Sequence, residues 1–155
     1  MNAKINIIAA LLGTVLLSPG TACAVSIADA RESVVRETMT YLNTPYLWGG
    51  MHPTTGMDCS AFAKLVYSRA GLNLPRVAAE QFARTLYLSP AAALPGDLIF
   101  FSMKDPGTDK VDHVGIYVGK GFFVHASVSN GVHIDSVYNS YYYKRMISLR
   151  KYRGF

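Results

Sequence analysis

One cysteine and two histidines in this chain are of the types that form a nucleophile and its base. Cys59 follows Asp58 at the start of an apolar helical pattern, and His113 and His125 lie on either side of a Gly-Lys-Gly turn. A cysteine attacks as its thiolate, a histidine accepts the thiol proton near neutral pH, and a third polar group sets the histidine tautomer. The pattern therefore predicts Cys59 as nucleophile, His113 as base and His125 as the orienting group.

The second half of the chain decides whether the two imidazoles meet. Segments rich in β-branched and aromatic residues, separated by turns, predict strands at 97–103, 111–118, 122–127, 132–137 and 146–152. A hairpin centred near Gly119 would place His113 directly opposite His125, within hydrogen-bonding reach. Alternation puts His113 on one face of its strand and Val114 on the other. If the helix that starts at Cys59 packs across the histidine face, the thiol meets the first imidazole.

The first half of the chain contains helical patterns. Apolar residues at helical spacing predict a helix within 26–41, with Ser26 as its N-cap, and a second helix that follows the cap Asp58 and runs to about residue 70. A third helix is expected over 75–88, and residues 43–57 are expected to form a loop. Helices first and strands second predict an α+β fold with an antiparallel sheet.

The composition is typical of one compact domain. The 155 residues are 50% hydrophobic and 16% charged, with two cysteines and with 15 Lys and Arg against 10 Asp and Glu. The chain is too apolar for a disordered protein and has too few cysteines for a disulfide scaffold. The charge of +5 is scattered along the sequence. No nucleic-acid partner is therefore predicted, because such partners select clustered basic residues.

The first 24 residues have the pattern of a secretory signal peptide. A lysine and an apolar run at 5–17 precede a Ser-Pro-Gly break and an A-x-A cleavage pattern that ends at Ala24. The run is short for a membrane span, and no second such run follows. We therefore expect an exported protein of the periplasm or cell envelope, without a transmembrane segment and with 25–155 as its domain. Lipidation of Cys23 is the disfavoured alternative, because Gly20 stands where a lipoprotein signal normally has leucine.

Further residues could complete or adjust such a site. The backbone N–H of Cys59 and the phenol of Tyr46 are candidate donors to an oxyanion. A position in the first turn of a helix is expected to lower the thiol pKa, an effect that Asp58 opposes weakly. The two remaining histidines, His52 and His133, are expected to be exposed.

Six short motifs resemble those of the NlpC family of bacterial cell-wall cysteine peptidases. In family order they are PYLWGG from 45, GMDCSAF from 56, LPR from 74 with EQ at 80, PGDL from 95, HVGIYVG from 113 and FVHAS from 123. The resemblance implies a papain-like fold, with N-terminal helices packed on an antiparallel sheet of five to six strands. It also implies site roles for Cys59, His113, His125 and Tyr46. Ala61 and the Val77-Ala78 pair depart from the usual glycine and Ser/Thr of the family.

The resemblance further implies a reaction. Members of the family hydrolyse amide bonds beside diaminopimelate in peptidoglycan peptides without a metal or cofactor, and we expect this chain to act as a monomer. Either the γ-D-glutamyl bond within one stem or the D-alanyl crosslink between stems would fit, and the crosslink is favoured. Ser60 and Arg76 are counted with Tyr46 as oxyanion or substrate-binding residues, since the Arg76 guanidinium could bind a stem carboxylate as a fork.

Three other functions are weighed against this one. A catalytically silent wall-binding module would keep the fold and lose the site, so the complete set of Cys59, His113 and His125 argues against it. A thioester-forming acyltransferase would use the same thiol, and the sequence does not reveal whether water or an amine accepts the acyl group. A zinc site made of these three residues and His52 lacks the short paired spacings of structural zinc sites, so no metal is predicted.

Overall fold

The computed structural model describes residues 26–155, so the expected signal peptide and Cys23 lie outside the described residues. Within 26–155, no helix is long and apolar enough to cross a membrane. The helices of this part are α1 (Ile27–Thr40), α2 (Cys59–Arg69), α3 (Ala78–Ala83) and α4 (Ser140–Tyr143). The strands are β1 (Met51–His52), β2 (Gly56–Met57), β3 (Thr85–Leu88), β4 (Leu98–Phe101), β5 (His113–Gly119), β6 (Phe122–Ser127), β7 (Gly131–Ser136) and β8 (Met146–Tyr152).

Six of these strands form one antiparallel sheet in the order β3-β8-β4-β5-β6-β7. The short strands β1 and β2 pair separately with each other. The predicted α+β fold with an antiparallel sheet is confirmed. Strands β6 and β8 begin and end at the predicted residues, because β-branched and aromatic side chains fill them and turn residues bound them.

Helices α1 and α2 begin at the predicted caps. Ser26 Oγ accepts the N–H of Asp29 at 3.1 Å, and the Asp29 carboxylate accepts the N–H of Ser26 at 3.3 Å, which completes a capping box. Asp58 Oδ1 accepts the N–H of Ala61 at 2.8 Å. Because this cap sets the first residue of α2, it places Cys59 in the first helical turn.

The predicted helix over 75–88 is wrong for most of its length. Only Ala78–Ala83 is helical, and Thr85–Leu88 is the edge strand β3, which pairs with β8. The Arg150 guanidinium of β8 donates to Thr85 Oγ1 at 2.7 Å and so helps to hold this edge. A β-branched and aromatic tetrapeptide becomes a strand once a partner strand lies beside it. Residues 43–57, expected to be a loop, contain the β1–β2 hairpin.

Two hydrophobic clusters cover opposite faces of the sheet. The larger cluster packs α1 and α2 against side chains that we call the helix face: Leu98, Phe100, Val114, Ile116, Val124 and Ala126. The smaller cluster packs Tyr142 of α4 against Ile99, Phe101, Phe123 and Leu149. The rings of Phe101 and Phe123 contact His113 and His125, with centroids 5.9 and 4.9 Å apart. We call this second side of the sheet the histidine face.

Helix α2 therefore does not pack across the histidine face, and that prediction is wrong. Its own apolar side chains, such as Phe62 and Val66, are fully buried in the cluster of the helix face. A helix with an apolar stripe packs where the sheet is apolar, and His113 makes its own side of β5 polar. Cys59 consequently approaches β5 from the start of α2, at the end of the strand where His113 lies.

The register of the β5–β6 hairpin also differs from the prediction. Ile116 pairs with Val124 and Tyr117 with Phe123, so the hairpin is centred at Lys120 rather than Gly119. The turn contains consecutive left-handed residues, including Lys120 at φ 54°, and a bulge follows Tyr117. His125 is thus a diagonal neighbour of His113. The two histidines still share a face, because a shift of two residues preserves the alternation of side chains.

Candidate active site

The Cys59 thiol lies where the first turn of α2 meets the start of β5. The residue is a free cysteine and only 7% exposed. Backbone N–H groups of Val114, Ser60 and Cys59 itself favour the thiolate. The sulfur is therefore surrounded by backbone N–H groups, as predicted from its position in the first turn of α2.

Burial nevertheless raises the pKa of the Cys59 thiol to about 11. The charge of Asp58 acts in the same direction, while the N–H of Val114 acts against it. The expected lowering by the first helical turn is wrong for the free protein, because loss of hydration penalises the thiolate more than the nearby amides stabilise it. The raised pKa keeps Cys59 as the protonated thiol at neutral pH.

His113, the predicted base, is the first residue of β5 and lines the same cleft as Cys59. Its Nε2 lies 2.7 Å from Nδ1 of His125, with the two rings nearly perpendicular. The ring is only partly buried, yet burial is the main cause that lowers the pKa of His113, and the nearby His125 lowers it further. A neutral imidazole can accept a proton, so the resting pair consists of a thiol and a base.

Asp135 extends this arrangement by one residue and sets the direction of its hydrogen bonds. His125 Nε2 lies 3.0 Å from Asp135 Oδ2, and His125 itself is 1% exposed. Burial alone would raise the pKa of Asp135, but hydrogen bonds from His125 and Tyr142 lower it to about 2. An ionised carboxylate can only accept hydrogen bonds. Nε2 of His125 must therefore be its protonated nitrogen.

The tautomers of the remaining nitrogens follow from this constraint. With its proton on Nε2, neutral His125 accepts at Nδ1, so Nε2 of His113 is the donor across the 2.7 Å contact. Neutral His113 then has its lone pair on Nδ1, the nitrogen that is free to take the thiol proton. We call this chain of Cys59, His113, His125 and Asp135 the relay.

The sequence-based reasoning missed Asp135 and misjudged His133. His133 pairs directly with His125 across β6 and β7, is half-buried, and binds Asp135 through Nε2 at 2.7 Å. Its expected exposure is therefore wrong, whereas His52 is exposed in the β1–β2 hairpin as expected. Alternation of side chains along the predicted strand 132–137 was the sequence signal that could have identified both residues. His133 and Asp135 stand two residues apart and so share one face.

Arg76 and Ser60 bind Asp58 beside the nucleophile. Arg76 Nη1 and Nη2 donate to the two oxygens of Asp58 at 2.9 and 2.6 Å. Ser60 Oγ donates to Asp58 Oδ1 at 3.1 Å and accepts from Arg76 Nη1 at 2.9 Å. The guanidinium fork expected to meet a substrate carboxylate is occupied by Asp58. The guanidinium therefore offsets the negative charge beside Cys59. Burial acts to raise the pKa of Asp58, but the hydrogen bonds that Asp58 accepts from Arg76 and Ala61 outweigh burial, so the pKa is lowered.

An open cleft gives access to the thiol. One part, of about 340 Å³, is lined by Tyr46, Trp48, Cys59, Lys104, His113 and Tyr141, among others. A second part meets it at Trp48 and Cys59 and extends past Ser60 and Arg76. Tyr46 lines the cleft together with Cys59. Burial raises the pKa of Tyr46, and Cys59 and Asp58 add to that shift, so the phenol keeps its proton and remains a donor. The size suits a few residues of a peptide.

A thiol at the start of a helix and an imidazole on the adjoining antiparallel sheet are the arrangement of a papain-like domain. The chain belongs to the NlpC/P60 family, whose model matches residues 43–151. The match covers α2, the whole relay and nearly all of the sheet.

Two curated proteins and one solved structure illustrate this relationship. The bifunctional muramidase/DL-endopeptidase CwlT of Bacillus subtilis is 38% identical over 120 residues, which are 77% of this chain and 36% of that protein. The murein DD-endopeptidase MepH of Escherichia coli is 31% identical, and the match covers 81% of this chain and 50% of that protein. This chain thus spans at most half the length of either relative. An NLP/P60 family crystal structure from Staphylococcus aureus superposes with a TM-score of 0.72 at 33% identity, over 85% of this chain and 44% of that one.

Proposed function

We propose that this protein is an exported cysteine peptidase that hydrolyses amide bonds beside diaminopimelate in peptidoglycan peptides. The observation that carries the proposal is the hydrogen-bonded chain from Asp135 through His125, which leaves Nδ1 of an uncharged His113 as the free nitrogen, in the same cleft that Cys59 lines. Family membership and the endopeptidase names of the relatives support the substrate class. The cleft on both sides of Cys59 suits an extended peptide.

The chemistry follows from the resting protonation states. Nδ1 of His113 takes the proton of Cys59 as the sulfur attacks the scissile carbonyl carbon. The oxyanion accepts hydrogen bonds from the Tyr46 phenol and from the backbone N–H of Cys59. His113 then gives its proton to the leaving amine, and the C–N bond breaks to leave a thioester. Water gives one proton to His113 as its oxygen attacks the thioester, and that proton returns to the sulfur as the C–S bond breaks. The carboxylic acid product leaves and ionises by giving its remaining proton to solvent.

The orienting part of the relay stabilises the charge that forms during this cycle. Imidazolium develops on His113 when the thiol proton arrives, and its Nε2–H points at His125. His125 in turn donates to the ionised Asp135. A carboxylate at the end of the chain favours both the transient positive charge and the correct tautomer.

We infer that the bond cut is the D-alanyl to diaminopimelate crosslink. The motifs resemble those of the small murein endopeptidase Spr, and MepH is named a DD-endopeptidase. CwlT is named a DL-endopeptidase, which corresponds to cleavage within one stem. Export rests on the signal-peptide pattern of residues 1–24, with removal of Cys23 at cleavage after Ala24.

Digestion of a defined crosslinked muropeptide, followed by mass spectrometry, tests both levels of the proposal. Monomeric tetrapeptides are expected, and none should appear with Cys59→Ala as the matched control. Sugars that carry only dipeptides would refute the crosslink and retain the peptidase. Binding to sacculi without any release would indicate a silent module. Amide exchange with an added amine, in place of hydrolysis, would indicate an acyltransferase.

A further inference from the structure

Two members of the relay, His125 and Asp135, meet the side chain of His133 on neighbouring strands of the histidine face. One ligand atom from each of His125, His133 and Asp135 lies within 4.8 Å of the other two. Nε2 of both histidines faces the same oxygen of Asp135, at 3.0 and 2.7 Å. His125 pairs directly with His133 across β6 and β7, with ring centroids 4.7 Å apart. The side chains of His133 and Asp135 are each 21% exposed, so solvent and ions reach the cluster from that side.

We propose that His125, His133 and Asp135 form a binding site for a divalent transition metal ion, above all zinc, and that the bound ion inhibits the enzyme. Two imidazole nitrogens and one carboxylate oxygen are a ligand set that zinc accepts, with water in the fourth position. This set shares only His125 with the one considered from the sequence, which used Cys59, His113, His125 and His52. The inhibition, unlike the binding, rests on the proposed function.

The hydrogen bonds around the cluster suit histidines that bind a metal through Nε2. A metal-binding imidazole usually donates its other N–H to a carbonyl, carboxylate or water, which holds the ring in place. Nδ1 of His133 lies 3.1 Å from the carbonyl oxygen of Gly131, which can only accept. Nδ1 of His125 lies 2.7 Å from Nε2 of His113. Both rings therefore have a partner at the nitrogen that faces away from the ion.

Room for the ion requires a small movement. Ligands about 2.1 Å from a tetrahedral zinc ion lie roughly 3.4 Å from one another. The Asp135 carboxylate is now 3.0 Å from His125 and 2.7 Å from His133, held by N–H donors. An ion would take the place of the Nε2 protons in both of these hydrogen bonds. It requires an outward shift of a few tenths of an ångström, on the side where His133 and Asp135 are partly exposed.

Metal binding at His125 would reverse the relay. An ion on Nε2 displaces the proton of neutral His125 to Nδ1, so that Nδ1 becomes the donor towards His113. Nε2 of His113 must then accept, which leaves the proton of neutral His113 on Nδ1. Each ring keeps one proton, but His113 no longer has a lone pair for the thiol of Cys59. Inhibition therefore follows from a tautomer and does not require the ion to touch the sulfur.

Metal binding is tested first, without reference to activity, on the mature protein with Cys59→Ala. Calorimetry with zinc and visible absorption with cobalt(II) should show one ion per chain. The added change His133→Gln, which keeps a donor for Asp135, should weaken binding at least tenfold, and His52→Ala is the matched histidine control that should not. Loss of binding through Cys59→Ala alone, or equal affinity with His133→Gln, would overturn the site.

Inhibition is tested with the thiol present and with each variant compared to its own metal-free rate. Zinc should slow both muropeptide hydrolysis and alkylation of Cys59 by iodoacetamide. His133→Gln should raise the half-inhibitory zinc concentration at least tenfold for both. Equal sensitivity of the variant would overturn the mechanism and place the ion on the thiol and His113.

The two readouts separate this inference from the proposed function. If no peptide bond is cut while zinc binds through His133 and slows alkylation, the proposed function fails and the metal site stands. If peptides are cut and zinc does not bind the Cys59→Ala protein, the metal site fails and the peptidase stands.

Discussion

The two faces of the central sheet contribute to the site in different ways. The helix face is apolar, and α2 packs on it so that Cys59 is held at the start of β5. The histidine face has polar side chains from β5, β6 and β7 that bind one another in sequence. The first face therefore determines where the thiol lies, and the second determines which nitrogen of His113 is free. Position and protonation are controlled by separate parts of the fold.

The same contrast appears in the electrostatics of the two sides. On the thiol side, Asp58 is bound by Arg76 and Ser60, so its charge is offset. On the histidine side, hydrogen bonds keep the pKa of Asp135 low, so an ionised carboxylate ends the relay, where the proposed mechanism has its charge assist proton uptake by His113. An acidic residue beside a nucleophile opposes the thiolate, and one behind the base supports it.

Removal of either end of the reacting pair should have the largest effect. Cys59→Ala should abolish hydrolysis, and His113→Ala should approach that loss, on the order of 10⁴-fold or more in kcat, because no other group accepts the proton. Steady-state rates on muropeptides measure this. Thermal unfolding midpoints close to that of the unchanged protein would show that the fold persists. Substantial residual activity of Cys59→Ala would sink the mechanism.

Tyr46→Phe tests the donor on the thiol side. We expect kcat to fall by about one to three orders of magnitude, since a lost oxyanion donor acts mainly on the transition state. KM should change little. Tyr87→Phe is the matched control, because Tyr87 is exposed on the edge strand β3. An unchanged kcat would mean that Tyr46 only packs against the cleft.

Asp135→Asn tests the histidine side, where an amide can turn its NH₂ towards His125 and permit the wrong tautomer. The expected fall in kcat is about 10- to 100-fold, the usual effect of a group that orients another. Glu32→Gln, at an exposed position of α1, is the control for loss of a carboxylate.

Two variants of His125 sharpen the same question. His125→Asn should retain more activity than His125→Ala, because an amide oxygen can replace the accepting Nδ1. Equal rates for these two variants and the unchanged protein would refute an orienting role for this side of the sheet.

The pH dependence of alkylation distinguishes a resting thiol from a resting ion pair. Because burial raises the pKa of Cys59 to about 11, the thiolate fraction at neutral pH is small and grows as the pH rises. The rate with iodoacetamide should therefore increase about tenfold per unit between pH 7 and 9. A flat rate between pH 5 and 8 would instead show a thiolate beside a charged His113, and the two faces would then be coupled at rest.

Local sequence was enough to predict where α1 and α2 begin and that His113 and His125 lie on the same face of the sheet. Ser26 and Asp58 cap their helices wherever those helices pack, because the capping bonds span three residues. Alternation along β5 and β6 put His113 and His125 on one side, since the period of a strand is two. Thr85–Leu88 shows the limit of this reasoning. A four-residue strand at the edge depends on β8, a segment some 65 residues away along the chain.

Contacts between distant segments decided the rest of the site. Three features depend on how separate elements meet. They are the centring of the hairpin at Lys120, the packing of α2 on the helix face and the approach of Asp135 to His125. The pKa of Cys59 is of the same kind, because burial is a property of the assembled core and here exceeds the effect of the helical turn. The sequence by itself determined which residues can react. Only the tertiary structure decided their hydration, their tautomers and their partners, since these depend on groups brought together by folding.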